Sequence, residues 1–188
     1  KQIGMRELAE GDPSPDEYLA SWDSILNGGI RINKANDAVV SVKHMFDPSF
    51  PANGISALTD SVPGYLDFSY NWLIWNGKPM DGTVRLREKT YIDSLDVNFL
   101  QDACHWIFPP KEVRMFVSTD GIHFKEIFRH KTKKIEKDDK VRKVRFNVSV
   151  RRDILAVRIY AAPQTSLPPW RFVPNRQPLF ACDEIWLE

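Results

Sequence analysis

From residue 30 onward the hydrophobic pattern repeats every second position, and this restricts the chain to strands rather than helices. Val40, Val42, His44 and Phe46 alternate with Ser41, Lys43 and Met45, and Leu95, Val97 and Phe99 alternate with Ser94, Asp96 and Asn98. The same rhythm runs through Val144, Phe146, Val148 and Val150, and again through Leu155, Val157 and Ile159. Val113, Met115 and Val117 lead to Asp120-Gly121, a turn pair predicted to close a hairpin into Ile122–Phe124. The chain ends on Ile185-Trp186-Leu187. A period of two places alternate side chains on opposite faces, so each strand offers one apolar face that another layer must cover. At least six short strands separated by Pro, Gly and Asp turns predict an antiparallel sandwich. Most of the 13 prolines fall between the strands, where a missing amide donor costs no ladder bond.

Residues 1–29 follow other rules. Gly11-Asp12-Pro13 is turn chemistry, and Ser14, Pro15 and Glu17 form a helix start with a capping box. Tyr18, Leu19, Trp22, Ile25 and Leu26 then share one helical face before Gly28-Gly29 stops it. The expected organisation is a leader and short amphipathic helix over 1–29, tying the module to an upstream domain, and a β-sandwich over 30–188.

Composition narrows the function. With 43% hydrophobic residues in a chain of 188, there is material for a single packed core. The formal net charge of +1 gives no global pull toward nucleic acid, so no nucleic-acid partner is expected. No apolar run approaches the roughly 18 residues that a spanning helix needs, so no membrane insertion through a helix is expected. No charged-then-apolar pattern opens the sequence, so any signal peptide is expected to lie outside this fragment. Cys104 and Cys182 are open to two readings, a bridge or two buried thiols; the thiol reading is favoured because two cysteines make no disulfide framework.

Catalytic motifs are missing. There is no nucleophile elbow, no phosphate-binding glycine loop, no His-Glu-x-x-His and no Cys/His cluster. Acid pairs such as Asp138-Asp139 and Asp183-Glu184 are chain neighbours that point to opposite faces of a strand, whereas glycoside hydrolysis needs two opposed carboxyls roughly 5–10 Å apart. The fragment is therefore expected to be non-catalytic. One local anomaly stands out: between Arg129 and Arg145 nine Lys or Arg face three acids. The plain reading is a solvated hairpin whose charges blunt exposed strand edges. The sharper one is a patch for acidic polysaccharide.

The order of segments carries more than the strand count. Ala57-Leu58-Thr59-Asp60 precedes a stretch from Trp72 to Trp75 and then Asn76-Gly77. Next come Thr83-Val84-Arg85-Leu86, Ile92 to Val97, Trp106-Ile107 and Pro109-Pro110-Lys111-Glu112-Val113. Val117-Ser118-Thr119-Asp120-Gly121-Ile122-His123-Phe124 follows, then Val157 to Ala161, and finally Asp183-Glu184-Ile185. This succession, over about residues 30–188, resembles the discoidin (coagulation factor 5/8 type C) and family-32-like carbohydrate-binding modules, in the versions attached to bacterial β-N-acetylhexosaminidase-like glycosidases. It departs from the pattern at Ser61, where a Gly often stands, and at Arg85 and Arg87, where the family often has Asp and Gly.

The resemblance implies a galactose-binding-domain-like jelly roll. It also implies a role as a C-terminal accessory module of a larger secreted glycoside-hydrolase-like protein, at a periplasmic or cell-surface address, with a catalytic domain upstream. The partner it implies is carbohydrate, weakly bound, or else no ligand at all if the domain only braces its neighbour. A structural calcium ion is implied at the junction of the first loop and the last strand, with Asp60 and Glu184 at the matching positions. Sugar contacts are expected from the proline-rich segment 165–178, through Trp170, Arg171, Asn175 and Arg176, with Tyr65 and Trp72 as further ligand contacts. Trp75 and Trp106 are expected to be structural.

Overall fold

The computed structural model describes residues 33–188, and the predicted helix over 14–28 lies outside the described residues. Among them seven strands are joined in the hydrogen-bonded order β2-β7-β3-β6-β4-β5, with β1 added on β3: β1 is Val39–Val42, β2 Leu73–Asn76, β3 Met80–Gln101, β4 Glu112–Ser118, β5 Lys125–Lys131, β6 Arg142–Ala162 and β7 Leu179–Leu187. Every strand pairing is antiparallel.

Two strands are far longer than the alternating runs suggested. β3 has 22 residues and β6 has 21, which at about 3.3 Å per residue would extend some 70 Å if straight. They pair on both sides of a shared corner, where the register breaks between Arg85 and Thr90 and again between Ile92 and Ser94. Arg151 takes a left-handed φ of 47° opposite that corner, the local kink a bulge produces. The segments 80–85 and 154–162 thus join β1, β4 and β5 in one layer, while 94–101 and 142–149 join β7 and β2 in the other. The alternating runs of the sequence mark the two arms of each bent strand.

One apolar cluster fills the space between the layers. Val84, Val113, Met115, Val117, Val157 and Ile159 enter from the first, and Leu73, Trp75, Leu95, Val97, Phe99, Phe180 and Ile185 from the second. Trp75 stacks on Phe180 at 5.5 Å and donates its indole N–H to the carbonyl of His44, so the buried ring carries no orphan donor. Three expectations need correction. β1 stops at Val42, and His44 and Phe46 continue as loop. Ile122–Phe124 is part of the hairpin loop, with Ile122 73% exposed, because Asp120 accepts hydrogen bonds from Ser118 Oγ and the amides of Ile122 and His123 and so holds a wide turn. Both cysteines are free, and Cys182 is buried, but Cys104 is exposed.

Candidate functional site

One end of the sandwich gathers the stretch after β1, the turn after β3 and the segment before β7. The turn after β3 is held by a reciprocal pair of backbone bonds between Asp102 and Ile107. Asp102, almost fully buried, accepts the amide of His105 and lies 2.6 Å from its Nδ1. The Asp102 carboxylate engages Nδ1, so Nε2 is the ring nitrogen left for another partner on a half-exposed ring. The His105 ring also rests against Phe68, with centroids 4.4 Å apart. Trp106 then turns with a left-handed φ of 59°, which aims a large ring where an extended backbone would not.

The segment before β7 approaches from the other side. Arg176 N–H donates to the carbonyl of Val173, Pro174 follows Val173, and Asn175 has φ 61°, the arrangement of a type II turn with its proline and its left-handed residue in place. This turn sets the Arg176 guanidinium over the Trp106 ring at 4.2 Å. A cleft of about 350 Å³ results, lined by Asp47, Phe50, Asn76, Asn175, Arg176 and Gln177. A smaller apolar recess of about 100 Å³, which shares Phe50 and Arg176, continues it past Phe68, His105 and Trp106.

Of the four residues expected from segment 165–178, Asn175 and Arg176 line the cleft. Arg171 does not: its guanidinium donates to the carbonyls of Ala103 (3.0 Å) and Cys104 (3.1 Å), so it fastens the His105 turn to the segment before β7. Trp170 is half-buried, packed edge-on against Phe108 with its N–H toward the carbonyl of Ile135 at 3.4 Å; it plugs a small core with Ala103 and Leu167. Trp72 is corrected outright as a ligand contact, since it is 1% exposed, lies against Gly64 and donates its indole N–H to the carbonyl of Tyr65. Tyr65 is 40% exposed but lines neither the cleft nor its recess. Asp47, Phe50 and Asn76 were not singled out from the sequence, and Trp106, expected to be structural, is half-buried against the Phe108 cluster and also lines the recess. Nothing in the local pattern marks Asp47 or Phe50; the Asn76-Gly77 turn and the His105-Trp106 pair were visible signals.

A second cluster lies where residues 53–64 meet β7. Asp183 and Glu184 occupy a bulge, two residues between Cys182 and Ile185 against the single Asn98 between Phe99 and Val97. Both are fully buried. Glu184 Oε1 accepts from Asn33 Nδ2 (2.7 Å) and Ser61 N (2.9 Å), but Oε2 has no hydrogen-bond partner. Burial pushes its carboxyl up to about 8 against the pull of Asn33 and Ser61, and the charges of Asp60 and Asp183 push the same way. Burial likewise raises Asp183 to about 6, offset by Lys143 and by the amides of Glu184 and Gly64. Asp60 accepts from Val62 N and Asn53 Nδ2. The donors here are all oxygen, which suits a hard cation and not zinc. Among the described residues no three His, Cys, Asp or Glu side chains converge, so backbone carbonyls would have to complete a calcium shell.

In the basic run, five of the nine cations meet acids: Arg129 meets Glu126 and Glu112, Lys134 meets Glu136, Arg142 meets Asp138, Lys143 lies 3.9 Å from Asp183, and Arg145 clamps the buried Asp96. Much of the run is therefore structural.

No protein-family model matches the sequence, and neither does any curated protein. Solved structures do match. CpGH89CBM32-4 of Clostridium perfringens, solved in complex with GlcNAc-α-1,4-galactose, aligns over 83% of this chain and 92% of its own with a TM-score of 0.52 at 17% identity. Chitosan-binding module 1 of a chitosanase/glucanase from Paenibacillus sp. IK-5 aligns over 83% and 98% with a TM-score of 0.50 at 14% identity. The two-layer arrangement with its bent strands, together with these matches, establishes that the chain has the discoidin-like jelly-roll fold of family 32 carbohydrate-binding modules.

Proposed function

We propose that this chain is a non-catalytic carbohydrate-binding module whose sugar site is the cleft between the His105-Trp106 turn and the Asn175-Arg176 turn. The observation that carries this reading is the pairing of an aromatic ring with converging polar groups: Phe50 offers hydrocarbon to the C–H face of a pyranose, the Trp106 ring supports the Arg176 guanidinium from beneath, and Arg176, Asn175, Asn76 and Asp47 match the sugar hydroxyls, with His105 at the recess. The bound sugar of the first structural match points to galactose or an N-acetylated hexosamine linked to it as the class to try first. Binding is weak on this account. A single sugar of about 12 heavy atoms, at roughly 0.3–0.4 kcal/mol each, gives about 4 kcal/mol and a Kd on the order of 1 mM.

The wider setting belongs to the same proposal: an accessory module of a larger glycoside-hydrolase-like protein, exported to the periplasm or cell surface, with its catalytic domain elsewhere in the polypeptide. Calcium is proposed at Glu184 and Asp60, supported by the unpartnered Oε2 and by the negative charge that Asp60 and Asp183 exert on the Glu184 carboxyl. Bound there, the ion would neutralise buried charge and fix residues 53–64; it would supply no catalysis. A rival reading, in which the domain only braces its neighbour, draws support from exposed Val62, Tyr65, Leu66 and Tyr70 in one loop. Titration with galactose, N-acetylgalactosamine and GlcNAc-galactose separates the two. Saturable heat with the wild type that disappears in Arg176→Ala supports the sugar site; silence with all three sugars, or a variant that binds as the wild type does, favours bracing.

A further inference from the structure

We propose a second saccharide site, for an acidic polysaccharide, in the cleft where the ends of β4, β5 and β6 meet. This cleft measures about 610 Å³, against 350 Å³ for the first, and Lys111, Lys131 and Lys133 stand on it with Thr132, Ala162 and Pro163. Its backbone is fixed by a chain of bonds: Lys111 N–H donates to Ala162, Thr132 N–H to Lys111 and Thr132 Oγ1 to Pro110, each at 2.8–2.9 Å. Gln164 Nε2 ties the far wall to Pro109 at 2.9 Å. A preformed cleft loses little entropy on binding.

The charge of this cleft is uncompensated. Its one acid, Glu112, pairs with Arg129, and Arg129 and Arg114 share Glu126, so these two arginines and two glutamates cancel. Lys111, Lys131 and Lys133 are exposed and make no ion pair among the described residues. Lys131 and Lys133 are two residues apart on nearly extended chain, about 7 Å, and Lys131 lies two strands from Ala162, about 10 Å across. Lysine stems, Ala162 and Pro163 supply hydrocarbon walls beneath a cationic rim. Hydrocarbon below and cations above match a sugar ring that bears a carboxylate or sulfate. They match nucleic acid poorly, because no aromatic ring lines the cleft for bases to stack on. They match a membrane surface poorly too, because no large apolar side chain is there to insert. The site is separate from the first cleft and does not depend on it.

The test is affinity electrophoresis of the full chain through gels containing polygalacturonate, chondroitin sulfate, single-stranded DNA or neutral hydroxyethylcellulose. Retardation by one or both acidic polysaccharides is expected at about 0.02 M NaCl, and its loss near 0.5 M. Polygalacturonate alone marks the carboxylate as the recognised group, and chondroitin sulfate alone marks the sulfate. The double variant Lys131→Gln/Lys133→Gln should bind about tenfold more weakly with an unchanged melting point, while the charge-matched Lys89→Gln/Lys125→Gln should bind as the wild type does. Three results overturn the proposal: no retardation in either acidic gel, equal losses in the two double variants, or DNA retarding the chain as strongly as the polysaccharides do. Free galactose read by titration reports on the first cleft alone, so failure of one site is distinguishable from failure of the other.

Discussion

Replacing Glu184 by Gln isolates the buried carboxyl pair and the calcium proposal in one experiment. In the native fold the Glu184 carboxyl prefers its proton, with its value raised to about 8 from an ordinary 4.5. The stability this preference supplies is full below about 4.5 and is lost progressively as pH rises through 8. Asp183, raised to about 6, acts in the same direction over a lower window. At 1.4 kcal/mol per pH unit, the metal-free protein should lose on the order of 4 kcal/mol between pH 5 and pH 8 through Glu184 alone. For a domain of this size that is a fall of roughly 10 °C in Tm. The range must stay above pH 5, because Glu126, held down to about 2 by Arg129 and Arg114, destabilises in the opposite sense at acid pH. Calcium at a hundredfold its Kd would return about 2.7 kcal/mol, with the largest effect near pH 8, where ionising Glu184 costs the fold most. Glu184→Gln keeps the shape and cannot ionise, so its melting point should be flatter with pH and indifferent to calcium. Scanning calorimetry at pH 5, 6.5 and 8, with chelator and with calcium, reads all of this. A wild-type midpoint that holds level from pH 5 to 8 in chelator refutes the buried-charge account. A variant that answers calcium as the wild type does refutes the ligand assignment.

Further outcomes follow from the packing. Gly64→Ala places a methyl inside the Trp72 indole, where the ring is fully buried, and should cost about 1–3 kcal/mol of stability in a urea melt. Phe180→Ala opens a hole beside Trp75 and Phe99 and should cost about 3–5 kcal/mol by the same assay. A thiol reagent should titrate one cysteine in the native protein, the exposed Cys104, and two after unfolding, because burial leaves Cys182 inaccessible and raises its thiol well above the ordinary range. Arg171→Ala removes the two bonds that fasten the His105 turn to the segment before β7; it should weaken sugar binding several-fold in titration while Tm falls by only a few degrees.

The layers were legible because alternation is a local signal. Leu95, Val97 and Phe99 announce their burial from sequence alone, and so do Val113, Met115 and Val117. That 83–86 and 92–97 belong to one bent strand was not legible, since the corner depends on the β3–β6 pairing and on a kink at Arg151 far along the chain. The wide Asp120 loop was misjudged because Asp-Gly reads as a tight turn until the side chain of Asp120 is seen to collect three donors. The cleft was half legible. Proline-rich 165–178 pointed to the right loop, and Asn175-Arg176 entered the wall, but Trp170 and Arg171, two side chains from the same segment, turned inward to carbonyls and aromatic rings supplied by other elements. Asp47 and Phe50 come from loop geometry that no short window of sequence encodes. Trp72 and Trp75 are alike in sequence yet face opposite sides of one layer, and each finds a carbonyl for its N–H inside the fold.

The central claim is that sugar sits between the His105-Trp106 and Asn175-Arg176 turns, and amide chemical-shift mapping with a galactose-terminated oligosaccharide tests it most directly. Dose-dependent shifts are expected for Asn76, His105, Asn175, Arg176 and the Trp106 indole, with the Ser118–Phe124 hairpin unmoved. Saturating shifts that cluster on other loops while those five signals stay still would contradict it.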